Sequence, residues 1–404
     1  MTEHPPPTHL PTASDPTALG ARLRPELWLL DPDVAHLNHG SYGAVPLPVL
    51  AAQRAAAERI ERSPERFYRA ELAPAIAAVR ERVAAFLHVD PRGLALVQNA
   101  TEAVQVVLEA VDLRPGAEIV YTDHAYPWVE AAIARACERH GAVRRRVPLP
   151  APVDGTVPAP ALVDALEGAL TDRTALMVVD QITSASALRL PVEAVAAALG
   201  ERVPLLVDAA HAPGLIERPV PEGAAFWVGN LHKWAFAART AAALVVAPAW
   251  RERVRPLVAS ARAAEGFPGS FSYLGTQDPT AYLALPAALA MEPDLATVFG
   301  GINDILRPRA DVVVATSPQF FAGWAGVPVS RSHRAPFVLE IRDVWPDSIT
   351  AVGALKQGRV IRALERLERT LYDAAGHIVA VGEGYKATMV AKGVAPDKID
   401  VVTN

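Results

Sequence analysis

The fold turns on residues 224–248, AAFWVGNLHKWAFAARTAAALVVAP. One apolar run leads in, another leads out, and Lys233 stands between them beside His232. Both runs predict strands, which puts the lysine at a strand end. A lysine there has two readings. Its stem can lie along the sheet edge while the ammonium snorkels to solvent. Alternatively it is buried, and desolvation lowers its pKa and favours the free amine, a carbonyl nucleophile.

The text on either side has a regular alternation. LALVQN (94–99), EIVYTD (118–123), ALMVVDQI (175–182), PLLVDAAH (204–211), AAFWVGN (224–230) and AAALVVA (241–247) read as strands. Helical stretches such as TEAVQVVLEAV (101–111) and PWVEAAIARACERHG (127–141) lie between some of them. Continuous apolar strands separated by helices predict a mostly parallel α/β sheet covered on both faces. Ligands of such sheets bind at the carboxyl ends of the strands. NATEA, TDHAY, DAAH and NLHK all fall at such ends.

Those ends carry a consistent chemistry. Asp208 closes the apolar strand VPLLVD, a poor place for a charge without a cationic partner. A protonated pyridine nitrogen is one such partner; a role in capping the next loop is the other reading. Asn99, Ala100 and Thr101 open a helix whose free N–H groups suit a phosphate or an ordinary cap. Tyr126 or His124 could stack on a flat ring or pack in the core. His211 follows Asp208 by three residues and could bond a phenolic oxygen or a backbone carbonyl.

Taken in order, HLNHGSYGAVP, QNATEAV, VDAAHAPG, GNLHKW and GTQDPTAYLALPAAL resemble the class V aminotransferase group of fold-type I pyridoxal-phosphate enzymes. The likeness is to its isopenicillin N epimerase-like branch and covers residues from about 35 to 290. It implies that Lys233 forms the Schiff base with pyridoxal 5'-phosphate and then moves the proton at the substrate Cα. It further implies that Asp208 pairs with the pyridine nitrogen, that His211 lies near the phenolic oxygen, and that Ala100, Thr101 and His232 hold the phosphate. Tyr126 would stack on the ring, and Asn38 and His39 would face an amino-acid substrate. Thr276 resembles the threonine that reaches a neighbouring subunit's phosphate, which implies a homodimer.

From about residue 305 the pattern changes. RADVVVATSPQFFAGWAG, APFVLEIRDVWPDSITAVGAL and YKATMVAKGVAPDKIDVVTN resemble the N-terminal, acceptor-side domain of family 4 GT-B glycosyltransferases. Strands are predicted in ADVVVATS, APFVLEIRD, HIVAVGEGY and DKIDVVTN. A helix over RVIRALERLERTLYDAA would present Val360, Ile361, Leu364, Leu367 and Leu371 on one face. Arg342, Asp343 and Glu383 read as solvated or paired loop charges.

The expected organisation is therefore a disordered proline-rich lead-in (1–20), a cofactor-binding large domain (21–290), a junction (291–304) and a partial Rossmann-like α/β half-domain (305–404). The chain reads as a join of two incomplete enzymes. The class V small domain, with the arginine that grips the substrate carboxylate, is replaced, and the donor domain of the glycosyltransferase is missing. Turnover is expected to be impaired, with a non-catalytic chimeric or truncated protein and a glycosyltransferase-related protein as alternatives. Arg255 and Arg262 are the basic residues considered as substitutes for that arginine.

Composition excludes other classes. A net charge of -5 and a pI near 6.1 give no basic excess for nucleic acid. No apolar run reaches the ~20 residues of a membrane span. The N-terminus lacks the basic and apolar regions of a signal peptide, so a cytoplasmic protein is expected. The single cysteine, Cys137, permits no Cys-based metal site. It falls within a helical pattern, whereas a cysteine desulfurase needs a thiol on a mobile loop after the cofactor domain, so desulfuration is disfavoured. Epimerisation, transamination and β-elimination remain open, since each begins with Cα deprotonation.

Overall fold

A computed structural model describes residues 27–31, 38–153, 156–291, 313–317, parts of 324–331, 336–341, 359–380 and 382–401. The lead-in, all of the junction beyond Met291, and Arg342 and Asp343 lie outside the described residues. The chain divides into two units: Met1–Leu30 with Asn38–Ala296, and Asp31–Leu37 with Thr297–Asn404.

The first unit is built on a seven-stranded sheet. Its strands are β1 (Leu94–Val97), β2 (Glu118–Thr122), β3 (Val143–Val147), β4 (Thr174–Asp180), β5 (Leu205–Asp208), β6 (Phe226–Asn230) and β7 (Ala242–Val246). They lie in the order β1-β7-β6-β5-β4-β2-β3. β7 pairs antiparallel with both β1 and β6, and the pairs from β6 through to β3 are parallel. β1, β2, β5 and β6 are buried along their whole length, as a sheet covered on both faces requires.

Helices α1 (His39–Tyr42), α2 (Leu47–Arg62), α3 (Leu72–Leu87), α4 (Ala100–Ala110), α5 (Pro127–His140), α6 (Ala159–Glu167) and α7 (Val192–Leu199) surround the sheet, followed by the short α8 (Thr280–Leu283) and α9 (Leu285–Leu289). Two apolar clusters form the core, one on each face. Leu94, Val120, Met177, Val207 and Trp227 join one with residues of α3 and α6. Val97, Tyr121, Val178, Leu206 and Val228 join the other with α4 and α5.

Local chemistry fixes the helix ends. Asn99 caps α4 by accepting Glu102 N–H at 2.8 Å, and the Glu102 carboxylate returns to Gln98 N–H at 2.8 Å. Pro127 occupies the first position of α5, and Gly141 ends that helix in the left-handed region at φ 68°. Cys137 is buried in α5, and burial pushes its thiol pKa up. A structural thiol in a helix is the result, as its pattern predicts.

β3, with the sequence VRRRV, is absent from the strands predicted by apolar runs. It is an edge strand in which Arg144 and Arg146 are exposed and Arg145 is half-buried, so it carries no apolar run. Arg145 and Arg173 close on Glu118, which is 1% exposed, and Thr171 Oγ1 adds a hydrogen bond of 2.6 Å. These partners hold the Glu118 carboxyl down at about 2.

The second unit holds a four-stranded parallel sheet in the order β11-β10-β9-β8, with β8 (Val313–Ser317), β9 (Phe337–Ile341), β10 (His377–Ala380) and β11 (Ile399–Val401). Helices α10 (Arg359–Ala374) and α11 (Glu383–Ala391) accompany it. The face expected for α10 is corrected in part. Leu371 is buried, but Leu367 is 42% exposed. Leu364 is half-buried, and the buried positions are Glu368, Leu371 and Tyr372, with Ala375 just past the helix end; Glu368 is paired with Lys392 at 2.8 Å and with the Tyr372 hydroxyl at 2.7 Å. The side chains of Val360 and Ile361 lie outside the described residues. Among the described residues no helix is long and apolar enough to cross a membrane.

Candidate active site

Lys233 sits in the connection between β6 and β7, which backbone bonds tie into a knot. Leu231 and His232 N–H both donate to the Ala241 carbonyl, at 3.0 and 3.1 Å, and Ala237 N–H donates to Leu231 O at 3.1 Å. Phe236 and Thr240 take left-handed φ values of 58° and 67° to close it. The knot keeps the lysine off the sheet edge. Burial lowers its pKa to about 8, and Asp208 opposes that shift.

The lysine amine lies 3.1 Å from His211 Nε2. The indole N–H of Trp234 donates to His211 Nδ1 at 3.2 Å. An indole nitrogen only donates, so Nδ1 is the acceptor and the neutral ring carries its proton on Nε2. Nε2–H then donates to the lone pair of the Lys233 amine, a network complete only with the lysine uncharged. Burial, with the lysine charge adding to it, lowers the His211 pKa to about 3, which keeps the ring neutral.

Asp208, at the end of β5, is 3% exposed, and its Oδ1 accepts Ala210 N–H at 3.1 Å. Burial raises its pKa, while the Ala210 N–H and the Lys233 charge lower it. Asp208 and Lys233 therefore act on one another electrostatically.

Other expected residues fall differently. The Ala100 N–H is taken by Asn230 Oδ1 at 2.9 Å, and Thr101 beside it at this α4 end is exposed. His232 Nδ1 donates to the Ala241 carbonyl at 2.9 Å, which leaves Nε2 as the acceptor, and burial lowers its pKa. Tyr126 is half-buried just before α5 and packs on the α4–α5 side of the core. His124 pairs with Asp123 at 2.9 Å. Asn38 and Thr276 are exposed. Arg262 pairs with Glu265 at 2.6 Å, and Arg255 donates to the Val254 carbonyl.

His39 is corrected from the expectation that it faces substrate. It is 2% exposed, its Nε2–H donates to the Lys233 carbonyl at 2.9 Å, and its Nδ1 accepts Ala44 N–H at 3.2 Å. Both ring nitrogens hold backbone, so this histidine clamps the lysine turn to α1. The flanking glycines allow the approach. A Cβ on Gly40 would stand 2.8 Å from Trp234 Cζ2, and one on Gly43, at φ 61°, would stand 2.4 Å from the His232 carbonyl oxygen.

Sequence reasoning missed Trp234 and Asp180. Trp234 was visible within GNLHKW, but its indole N–H finds its acceptor only in the fold. Asp180 closes β4 as Asp208 closes β5, so the argument from a charge ending an apolar strand applies to it equally. It is 2% exposed, and its Oδ2 has no hydrogen-bond partner among the described residues. Nor does the buried Thr122 hydroxyl at the end of β2. Orphaned polar atoms, a buried carboxyl and a buried amine of lowered pKa together fit a polar, ring-bearing phosphate cofactor at these strand ends.

Residues 53–265 match the aminotransferase class-V family, and residues 264–404 match a glycosyl transferase 4-like domain. An L-cysteine desulfhydrase of Arabidopsis thaliana is 30% identical over 306 residues, which cover 72% of this chain and 67% of that protein. The isopenicillin N epimerase of Amycolatopsis lactamdurans is 28% identical over 324 residues, covering 75% and 79%. The chain belongs to the aminotransferase class-V family, a family of pyridoxal-phosphate enzymes. It spans 65% and 66%, just under two thirds, of two further proteins that bear an L-cysteine desulfhydrase name, from Arabidopsis thaliana and Oryza sativa subsp. japonica. In fold it is similar to a cystine C–S lyase solved with its product cysteine persulfide (TM-score 0.55, 23% identity, 64% of this chain and 72% of that one). It is similar also to a cysteine desulfurase of Escherichia coli (TM-score 0.57, 20% identity, 70% and 73%).

Proposed function

We propose that the chain binds pyridoxal phosphate at Lys233 and acts at the Cα of an amino acid, in a β-elimination or epimerisation of the kind its relatives' names describe. The observation that carries this is the run Trp234–His211–Lys233, which holds a buried lysine whose ammonium form is disfavoured, in a site with a buried carboxyl. Bound pyridoxal phosphate would supply an electron sink for the pair left at Cα when its proton departs. Asp208 would hold the ring nitrogen, and its buried charge would keep that nitrogen protonated. Thr101 at the α4 N-terminus would hold the phosphate, and His232 would join it only as an imidazolium, because its neutral ring carries no proton on Nε2 to donate. Tyr126 would lie against the ring, and His211 would donate to its oxygen. The Lys233 amine, released from the cofactor, would take and return the Cα proton, a task that suits its pKa of about 8.

The exposed Thr276 loop supports a homodimer in which it meets a second copy. A single buried, unbonded cysteine accords with a cytoplasmic location. Since residues 264–404 match another family's domain, turnover is expected to be weak relative to cofactor binding. A purely non-catalytic protein would bind cofactor and exchange no Cα proton.

Titrating pyridoxal phosphate into the purified chain tests this reading. A visible absorption band should saturate with wild type and be missing with Lys233→Ala; identical spectra for the two would refute it. Incubation with L-cysteine then distinguishes the reactions: hydrogen sulfide and pyruvate report elimination, while formation of D-cysteine without them reports epimerisation.

A further inference from the structure

We propose that Asp180 is a positioning residue of this site: a neutral carboxylic acid that shares one proton with Asp208, so that the pair carries a single negative charge. Only the purpose of that charge rests on the pyridoxal-phosphate reading; the pair stands on the fold itself. β4 and β5 are parallel and in register at their last residues, with Asp180 opposite Asp208. In-register neighbours point to the same face. The residues two positions earlier, Val178 and Leu206, lie in one core cluster, which fixes that face. Both carboxyls are buried, at 2% and 3% exposure, and Asp180 Oδ2 is unpartnered among the described residues.

Two carboxyls so placed in a dry site cannot both ionise. The surroundings decide which one keeps the proton. Asp208 receives the Ala210 N–H and feels the charge of Lys233, and both favour its ionised form. Asp180 is raised well above the usual carboxylate range by burial and then by the Asp208 charge, against backbone N–H groups of Tyr126 and its own residue. At the neighbouring strand end, Asp123 is taken up by His124 and by Leu149 N–H at 2.9 Å. His211, beyond β5, is kept neutral by burial. The proton therefore rests on Asp180 and the charge on Asp208. A ring nitrogen held by Asp208 would then meet one negative charge rather than two, and no buried charge is left without a partner.

Infrared spectroscopy of the full-length chain, before and after addition of pyridoxal phosphate, reads the protonated carboxyl directly. Wild type should show a carboxylic-acid carbonyl band at neutral pH, where solvated carboxyls are ionised, and Asp180→Asn should lack it. Asp208→Asn should keep the band and move its loss to lower pH, since the neighbouring charge is gone. It serves also if Asp180→Asn does not fold. On chemical denaturation the folding equilibrium constant of Asp180→Asn relative to wild type should rise with pH, by up to about tenfold per unit, from the pH at which the unfolded-state carboxyl ionises until the buried acid itself ionises. A wild type without the band, or a band untouched by both substitutions, overturns the proposal. Failure of wild type to acquire the cofactor absorption while the band is present overturns the cofactor reading instead, so the two failures are distinct.

Discussion

A lysine becomes a nucleophile when its surroundings make the ammonium form costly, and three features do that here. Burial disfavours the charge, His211 offers a proton rather than a lone pair, and Trp234 fixes which ring nitrogen holds that proton. Trp234→Phe keeps an aromatic in place but removes the indole N–H. His211 can then turn its proton to Nδ1 and accept from a charged lysine, so the lysine pKa should rise. The rate of cofactor attachment follows the free-amine fraction, which grows as pH rises through about 8. Stopped-flow absorbance across pH should therefore show an inflection near that value in wild type. In Trp234→Phe it should lie higher, by roughly one unit. An unmoved inflection would mean that the tautomer does not govern the lysine.

Elements show why part of this site was legible in the sequence and part was not. Strand ends were legible because the buried strands are continuous apolar runs, so Asp208 and Lys233 stand out as charges at their edges. β3 was not, because an edge strand of arginines has no run to detect. The role of His39 was hidden for another reason: its partners are the backbone of its own turn and of the lysine turn 194 residues away. No spacing encodes a contact of that range. The helix α1 that carries it rests on Gly43, whose φ of 61° and close approach to the His232 carbonyl admit no Cβ. Gly43→Ala should accordingly cost about 1–3 kcal/mol of stability on chemical denaturation and weaken cofactor retention. An alanine variant as stable as wild type would mean that α1 does not press on the lysine turn as described.

At the scale of the molecule, every residue assigned to the site lies in the first unit, which has its own core on both faces of its sheet. The four parallel strands of the second unit carry a separate core. Truncation after Ala296 should leave the cofactor absorption intact, and its loss would show that the second unit supports the site. The central claim, that Lys233 is the residue that bonds the cofactor, has a direct measurement. The full-length chain is loaded with pyridoxal phosphate, reduced with borohydride, digested and mapped by mass spectrometry. The account predicts a phosphopyridoxyl group on Lys233 as the dominant product. A modification spread over surface lysines, with Lys233 unmodified, would contradict it.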